Sequence, residues 1–501
     1  MRIVKNPQMQ LGEIDISQIK FDPKSRDDIP QVLKGLQYIY INTAIREEIF
    51  AALKKYISPE INKNNGRPGM DLWKIFVMGI LRLDLNLDYD RLHDLVNHHG
   101  LIRQMLGHGA FDREGNYQLQ TIKDNVSLLT PQLLDEINQL VVKSGHVLLK
   151  KKESDLLRGR CDSFVVETNV HFPTDINLLF DAMRKVITLS ADLCERYGLS
   201  DWRQHAYNVR YIKRLMRTAQ NKKRLRAKIE EQKVKNAALV VKAHQDYIDV
   251  AKNYLTKANH VLNVIETTGL SDIRDGLLIE SIRNFINHGT RQISQIERRI
   301  IFGEIIPHHE KVFSIFQTHT EWVMKGKAGV PVELGVKVCI LEDQHQFILH
   351  HMVMEKKTDD QVAVPMIDEA KKRFQNLRTC SFDKGFHSPE NQKELGEKLD
   401  VVALKRKGRL SQQARVIEGS AEFQKAKYKH SAVESAINAL EVHGLDMCPD
   451  HGIDGFKRYV SLSIVARNIH RMGAILKQQE QKRDERRKIY FDRDTTLKRA
   501  A

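Results

Sequence analysis

Cysteine is scarce and scattered in this chain. Cys161, Cys194, Cys339, Cys380 and Cys448 are the only five, and no two stand in a CxxC pair. That spacing excludes a disulfide framework and leads us to expect free thiols in a reducing cytoplasm. Long hydrophobic runs are also missing. The most apolar stretch, LWKIFVMGILRL from Leu72 to Leu83, is cut by Lys74 and Arg82 and falls short of the about 20 residues that a membrane span needs. The opening MRIVKNPQMQ carries no apolar core of a secretory signal. Negative charge is in deficit, with 64 acidic against 80 basic residues and a formal charge of +16. Such a balance favours a polyanionic partner, because Lys and Arg that neutralise phosphates release condensed counterions. What is present suffices for folding: 41 % of the 501 residues are hydrophobic, enough for the cores of roughly two to four domains.

Residues 1–151 read as an all-helical N-terminal domain. GRPGMDLWKIFVMGILRLDLNLDYDRLHDLVNHHG predicts a helix from Asp71 to about Leu83, a turn, and a second helix from about Asp88 to Asn97. Asp71 and Asp88 suit the N-caps. Helix, turn, helix is the outline of a DNA-reading module, although any bundle contains such hairpins. From about Val186 the chain is helical again, and residues 181–320 form a basic insertion. Its segment Arg210–Lys235 holds eleven Lys or Arg against two Glu. The plain reading is the solvated face of a helical hairpin; the functional one is an arm that tracks phosphates.

Strand signals flank that insertion. GRCDSFVVETNVHF, Gly159 to Phe172, is apolar and β-branched, and VELGVKVCIL places Val332, Leu334, Val336, Val338 and Ile340 on one face, as a half-buried strand requires. QFILHHMVM from Gln346 to Met354 pairs with it as a hairpin. Pro365 then suits the first position of a helix that carries Ile367, Ala370 and Phe374. Arg378–Phe382 is a fourth strand, DVVALKRKG from Asp400 a fifth, and KHSAVESAINALEVHG a helix. The expected fold is α/β: a mixed five-stranded sheet with flanking helices, formed by 152–180 and 321–475, a long α-helical insertion between its first and second strands, and a basic tail over 476–501.

Three acids stand where such a sheet can bring them together: Asp162 in the first strand, Asp383 at the end of the fourth, and Glu434 in the helix after the fifth. On that helix Val433, Ala436, Ile437 and Leu440 make an apolar stripe, while His430, Glu434, Asn438 and Glu441 share the other face. Singly, an Asp at a strand end is a turn former and a Glu on a helix faces solvent. Converging, three carboxylates repel unless cations sit between them. Hard oxygen donors select Mg²⁺ or Mn²⁺, and two ions about 4 Å apart stabilise the attacking and leaving oxygens of a phosphoryl displacement. In CSFDKGFHSPE, Gly385 lets the chain turn away from Asp383, Lys384 is placed to meet a phosphate, and Phe386 to pack beneath the turn.

The blocks CDSFVVETNVHFPTDINLL, HTEWVMKGKAGVPVELG, CSFDKGFHSPENQKEL and HSAVESAINALEVHGLDMCPDHGIDGFKRYVSLSIVARNIHRM resemble a bacterial insertion-sequence transposase of the DDE class, closest to the ISNCY group. The resemblance covers about residues 40 to 480. It implies a ribonuclease-H-like catalytic core in which two Asp and one Glu bind two Mg²⁺ (or Mn²⁺) ions. It also implies DNA cleavage and strand transfer at terminal repeats, in the bacterial cytoplasm at the nucleoid. The matching positions are Asp162, Asp383 and Glu434, with Asp175 and Glu167 as nearby alternatives for the first ligand. Many members carry Arg four residues before the Glu and Lys seven after it, where this chain has His430 and Glu441. The expected DNA contacts are Arg67, Lys384, Lys405, Arg406, Lys407, Arg409, Lys427, Lys429 and His430. Expected partners are double-stranded DNA and a second copy of the chain or more, with no membrane and no organic cofactor.

Other constellations are weaker. His443, Cys448 and His451 lack a fourth zinc ligand at sensible spacing. Thr168, Asn169 and His171 follow the first strand and stand near enough in sequence to line a site there. Two rival functions share these residues: a transposase-derived DNA-binding protein without catalysis, and a metal-dependent nuclease that cuts and never joins.

Overall fold

The computed structural model describes residues 3–500 apart from 6, 7, 10, 56–68, 110, 113–115, 153, 270, 271 and 325–330, with backbone alone over 488–500. The chain forms two compact units, one of Met1–Asn169 with Val323–Ala501, the other of Val170–Trp322.

The strands are β1 (Leu157–Thr168), β2 (Glu321–Met324), β3 (Val332–Glu342), β4 (Ile348–Val353), β5 (Leu377–Phe382), β6 (Val401–Leu404) and β7 (Met447–Cys448). They make one mixed sheet in the order β2-β3-β1-β5-β6, with β4 also on β3 and the two-residue β7 on β1. β3 is antiparallel to β1 and to β4, while β5 is parallel to β1 and to β6. The five strands expected from alternation are all present; β2 and β7 are too short for a period to reveal. One expectation is corrected. β3 is not half-buried over its length, because Cys339 and Leu341 are as buried as Val336, Val338 and Ile340. Beside it, Gly335 opposes Glu167. A Cβ there would lie 2.1 Å from the Val166 carbonyl oxygen, so only glycine lets β1 and β3 approach.

Helices of the N-terminal segment share one apolar core with this sheet. Leu72–Asp84 is buried at every position but Lys74, and Arg82, which interrupts its apolar run, is paired with Asp450 at 2.6 Å. Asp88 caps the following helix, Tyr89–His98, by accepting the Arg91 N–H at 2.7 Å. Deeper in, Asn468 of the long helix Gly452–Ala500 accepts the Ile348 N–H at 2.9 Å and donates to Asn138 at 2.7 Å. This pins the helices Pro131–Leu148 and Gly452–Ala500 to β4, with both asparagine side chains engaged.

Pro365 does not open its helix, which runs Asp359–Arg373 with the proline inside. Thr358 and Gln361 form a capping box, in which the Thr358 N–H reaches the Gln361 side chain at 3.0 Å. That reciprocal cap satisfies the first turn and starts the helix upstream.

The second unit has its own core, in which Trp202, Tyr247, Ile248 and Ile282 are fully buried. Its helices are Asp175–Arg196, His205–Lys223, Glu230–Thr268 and Ile273–Ile296. The first of these begins before the expected Val186, because Thr174 caps it by accepting the Asn177 N–H. Among the described residues no helix is long and apolar enough to cross a membrane, and all five cysteines are buried and unbridged.

Candidate functional site

Strand register brings the first two acids side by side. The parallel pairing of β1 with β5 ends at Cys161 opposite Phe382, so Asp162 and Asp383 follow on neighbouring strands, which run about 4.8 Å apart. Asp383 then turns the chain. Its carboxylate accepts the Gly385 N–H at 3.2 Å and caps the short turn Lys384–Phe386. Phe386 is buried with its ring 5.7 Å from that of Phe382. Lys384 is exposed. The Asp-Lys-Gly-Phe order thus fixes a carboxylate at a strand end, frees a cation and anchors the turn from below.

Glu434 lies in the first turn of Ala432–Leu440, whose Val433, Ala436 and Leu440 are buried while Glu434 and Asn438 are exposed. The expected four-residue face is corrected here. His430 ends a separate helix, Ala421–His430, and Glu441 begins a wide turn, Glu441–Leu445. The helices Ala421–His430 and Ala432–Leu440 are separated at Ser431, whose carbonyl takes the Glu434 N–H in a tight i to i+3 bond of 3.2 Å. The His430 Nδ1 sits 3.1 Å from the Ser381 hydroxyl on β5. Burial lowers its pKa, and Asp383 is the strongest influence in the other direction.

Asp162 registers the whole cluster. Burial is the first cause that pushes its pKa up to about 6, followed by the negative charges of Asp383, Asp359 and Glu434, against a lowering by the Ser163 N–H at 2.7 Å. Glu167 is five residues further along β1 and so faces the other way. Asp175 belongs to the second unit, where it pairs with Arg299 at 2.8 Å.

Asp359 is the acid that sequence reasoning missed. Its oxygens take the Ser163 hydroxyl at 2.6 Å and the Lys337 ammonium at 3.1 and 3.3 Å. A methyl group on Gly385 would stand 3.1 Å from Asp359 and 3.6 Å from Asp383, so the glycine separates the two carboxylates. The signal was in the sequence, as Thr358 followed three residues later by Gln361.

Cations stand on the turns beside this cluster. The Lys407 ammonium donates to the Gly385 carbonyl at 2.8 Å, and the Arg406 backbone is held by Glu418 at 3.1 Å. Contact with the Lys405 ammonium lowers the pKa of Lys427; two like charges held together invite an anion between them. Lys429 lines a cavity of about 580 Å³ with Lys425, Arg158 and Arg160, between the sheet and the helix Ala421–His430. Arg409 is exposed. Arg67 lies outside the described residues.

The remaining candidates are placed otherwise. His443 bonds the Asp84 carbonyl and Cys448 is buried. Thr168 is buried and bonds the Leu334 carbonyl, Asn169 is exposed, and His171, in the second unit, pairs with Asp181 at 2.6 Å. Among the described residues no three His, Cys, Asp or Glu side chains stand close enough to hold a metal ion as they are. The acids surround one strand end without closing on a point.

Comparison of the chain with protein-family models, curated proteins and solved structures gave no match.

Proposed function

We propose that this chain is a DDE transposase with a ribonuclease-H-like core. The observation that carries the reading is the register that sets Asp162 beside Asp383, with Glu434 near enough to raise the Asp162 pKa. The strand directions support the core: a hairpin of β3 and β4 in which β3 is antiparallel to β1 on one side, and β5 and β6 parallel to β1 on the other. The donor set fits Mg²⁺ or Mn²⁺, being three oxygen acids with no thiolate or imidazole among them. Asp162, Asp383 and Glu434 would hold two ions, which supply nucleophile activation and charge stabilisation at phosphorus. The protein supplies position. Asp383 is held rigid by its turn, Asp359 is kept in place by Lys337 and Ser163, and Lys384, Lys405, Lys407 and Lys427 hold the DNA backbone against the acids. Recognition of the terminal repeats falls to the helices of residues 1–151. Joining two ends needs two such sites, so the working form is a dimer or larger on DNA.

The test is cleavage and strand transfer on a labelled duplex that bears the element's terminal repeat, with Mg²⁺, comparing the native chain with Asp383→Asn. Loss of both activities with DNA binding kept supports the proposal. Binding without cleavage by the native chain leaves a DNA-binding protein, and cleavage without joining leaves a nuclease.

A further inference from the structure

The second unit holds a cavity of about 560 Å³ whose walls differ in chemistry. One wall is aromatic. The Phe172 and Trp322 rings meet edge to face at 5.5 Å, and Phe313 lies 5.6 Å from Trp322. Phe172 is 61 % exposed. The other wall is cationic: Lys223, Arg224, Arg299 and Lys311 face the single carboxylate Asp175. Arg299 takes that carboxylate at 2.8 Å. Among the described residues Lys223, Arg224 and Lys311 form no ion pair, so three positive charges at one cavity are left uncompensated. Partial burial and the neighbouring Arg299 lower the Lys223 pKa, against a raising by Asp175, as expected of an ammonium crowded by a second cation.

The cavity also ends a track. Along the helix His205–Lys223, Arg210, Arg214 and Arg217 are exposed at spacings of four and three residues, which places them on one face. Tyr207 and Tyr211 interleave with them, their rings parallel within 6° at 6.0 Å, and Arg214 covers Tyr211 at 5.1 Å. Cations that alternate with flat rings match the repeat of a single strand, whose phosphates seek the charges and whose unpaired bases seek the rings. A duplex hides its base faces and has no use for them.

We propose that residues 170–322 bind single-stranded nucleic acid, with one unpaired base against the aromatic wall of Phe172, Trp322 and Phe313, its phosphate on Lys223, Arg224 and Lys311, and the adjoining strand along the helix His205–Lys223. The proposal extends the nucleic-acid reading to residues distinct from the acids and does not need catalysis.

The experiment uses the full chain carrying Asp383→Asn, without divalent metal, so that cleavage plays no part. Trp73 and Trp202 are each 1 % exposed, which leaves Trp322 as the tryptophan a base can reach. The probes are a twelve-residue oligothymidylate, an abasic strand of that length, a duplex, and thymidine monophosphate. The expected result is quenching of the parent's tryptophan fluorescence by oligothymidylate and, by anisotropy of a labelled strand, binding weaker by roughly tenfold for the abasic strand and for Trp322→Ala. Trp322→Phe should recover most of the affinity. Lys223→Ala, at an exposed position, should weaken binding and flatten its salt dependence. Quenching by thymidine monophosphate at strand-like affinity would make the site one for free nucleotides and overturn the strand track. Equal binding of abasic and native strands, or a Lys223→Ala variant that binds like the parent, would overturn the site itself.

Discussion

Arg82 and Asp450 meet end to end within the first unit. The two guanidinium nitrogens reach the two carboxylate oxygens at 3.2 and 2.6 Å, with only 3 and 9 % of the side chains exposed. The Tyr89 ring lies 4.0 Å from the Arg82 guanidinium, and Arg458 reaches the same Asp450 at 3.4 Å. Asp450→Ala strands both arginines and should destabilise the chain by about 3–5 kcal/mol, since a buried charge loses its counterion. Urea unfolding of Asp450→Ala and of the apolar pair Arg82→Met with Asp450→Leu checks this. The pair should be the more stable of the two, and a loss under about 1 kcal/mol in the single variant would contradict the prediction.

Asp162 sets a pH dependence. Between the ordinary carboxylate value of 3.8 and its raised value of about 6, the folded chain keeps a proton that the unfolded chain has released. The stability tied to this group is therefore full below pH 3.8 and is lost as the pH rises through 6. The loss is roughly 2–3 kcal/mol at most. Asp162→Asn removes it, so without metal the variant should gain thermal stability over the native chain from pH 4 to pH 7. A melting-temperature difference that stays flat over that range would speak against the shift. Mg²⁺ should raise the native melting temperature and leave that of the variant unchanged.

Lys405 and Lys427 predict a salt effect. If both contact phosphates, replacing either by Ala should weaken DNA binding uniformly across sequences and reduce the slope of log affinity against log salt by about 1. Titrations at several salt concentrations measure the slope. An unchanged slope would place both lysines outside the interface.

Gly385 predicts a separation of stability from activity. A methyl group there meets Asp359 at 3.1 Å and Asp383 at 3.6 Å, both side-chain contacts, so Gly385→Ala should melt within a few degrees of the native chain. The push falls on Asp359, since 3.6 Å from Asp383 is ordinary contact, and moving that wall of the acid cluster should still cost on the order of 10–100-fold in cleavage, because reacting groups tolerate little displacement. Native-like cleavage by the variant would show that the cluster tolerates a shift of Asp359.

Legibility followed the length of each pattern. Val332 to Ile340 alternates over enough residues to declare a strand, and the apolar stripe of Val433, Ala436 and Leu440 to declare a helix face. Met447 and Cys448 offer two residues, too few for any period. Pro365 suits a first turn, yet the capping box at Thr358, seven residues earlier, satisfies more of the helix's open donors and starts it there. A start at Pro365 hides Asp359, which reads as loop in TDDQ and as a site wall once the helix begins at Asp359 under its Thr358 cap. The break at Ser431 was equally hidden. Its residue types favour helix on both sides, and only the contact of His430 with Ser381 on β5 shows that the two faces part.

The second unit is spliced into the first between β1 and β3. Asp162 is made early, and Asp383 about 220 residues later, a delay of roughly 10–40 s at about 5–20 residues per second. During translation β1 waits without β3 and β5, its paired neighbours at the acid cluster, while a unit with its own core emerges and folds. The acid cluster is completed only once Glu434 has followed Asp383, so a product that stops before β5 carries Asp162 without Asp383 and Glu434.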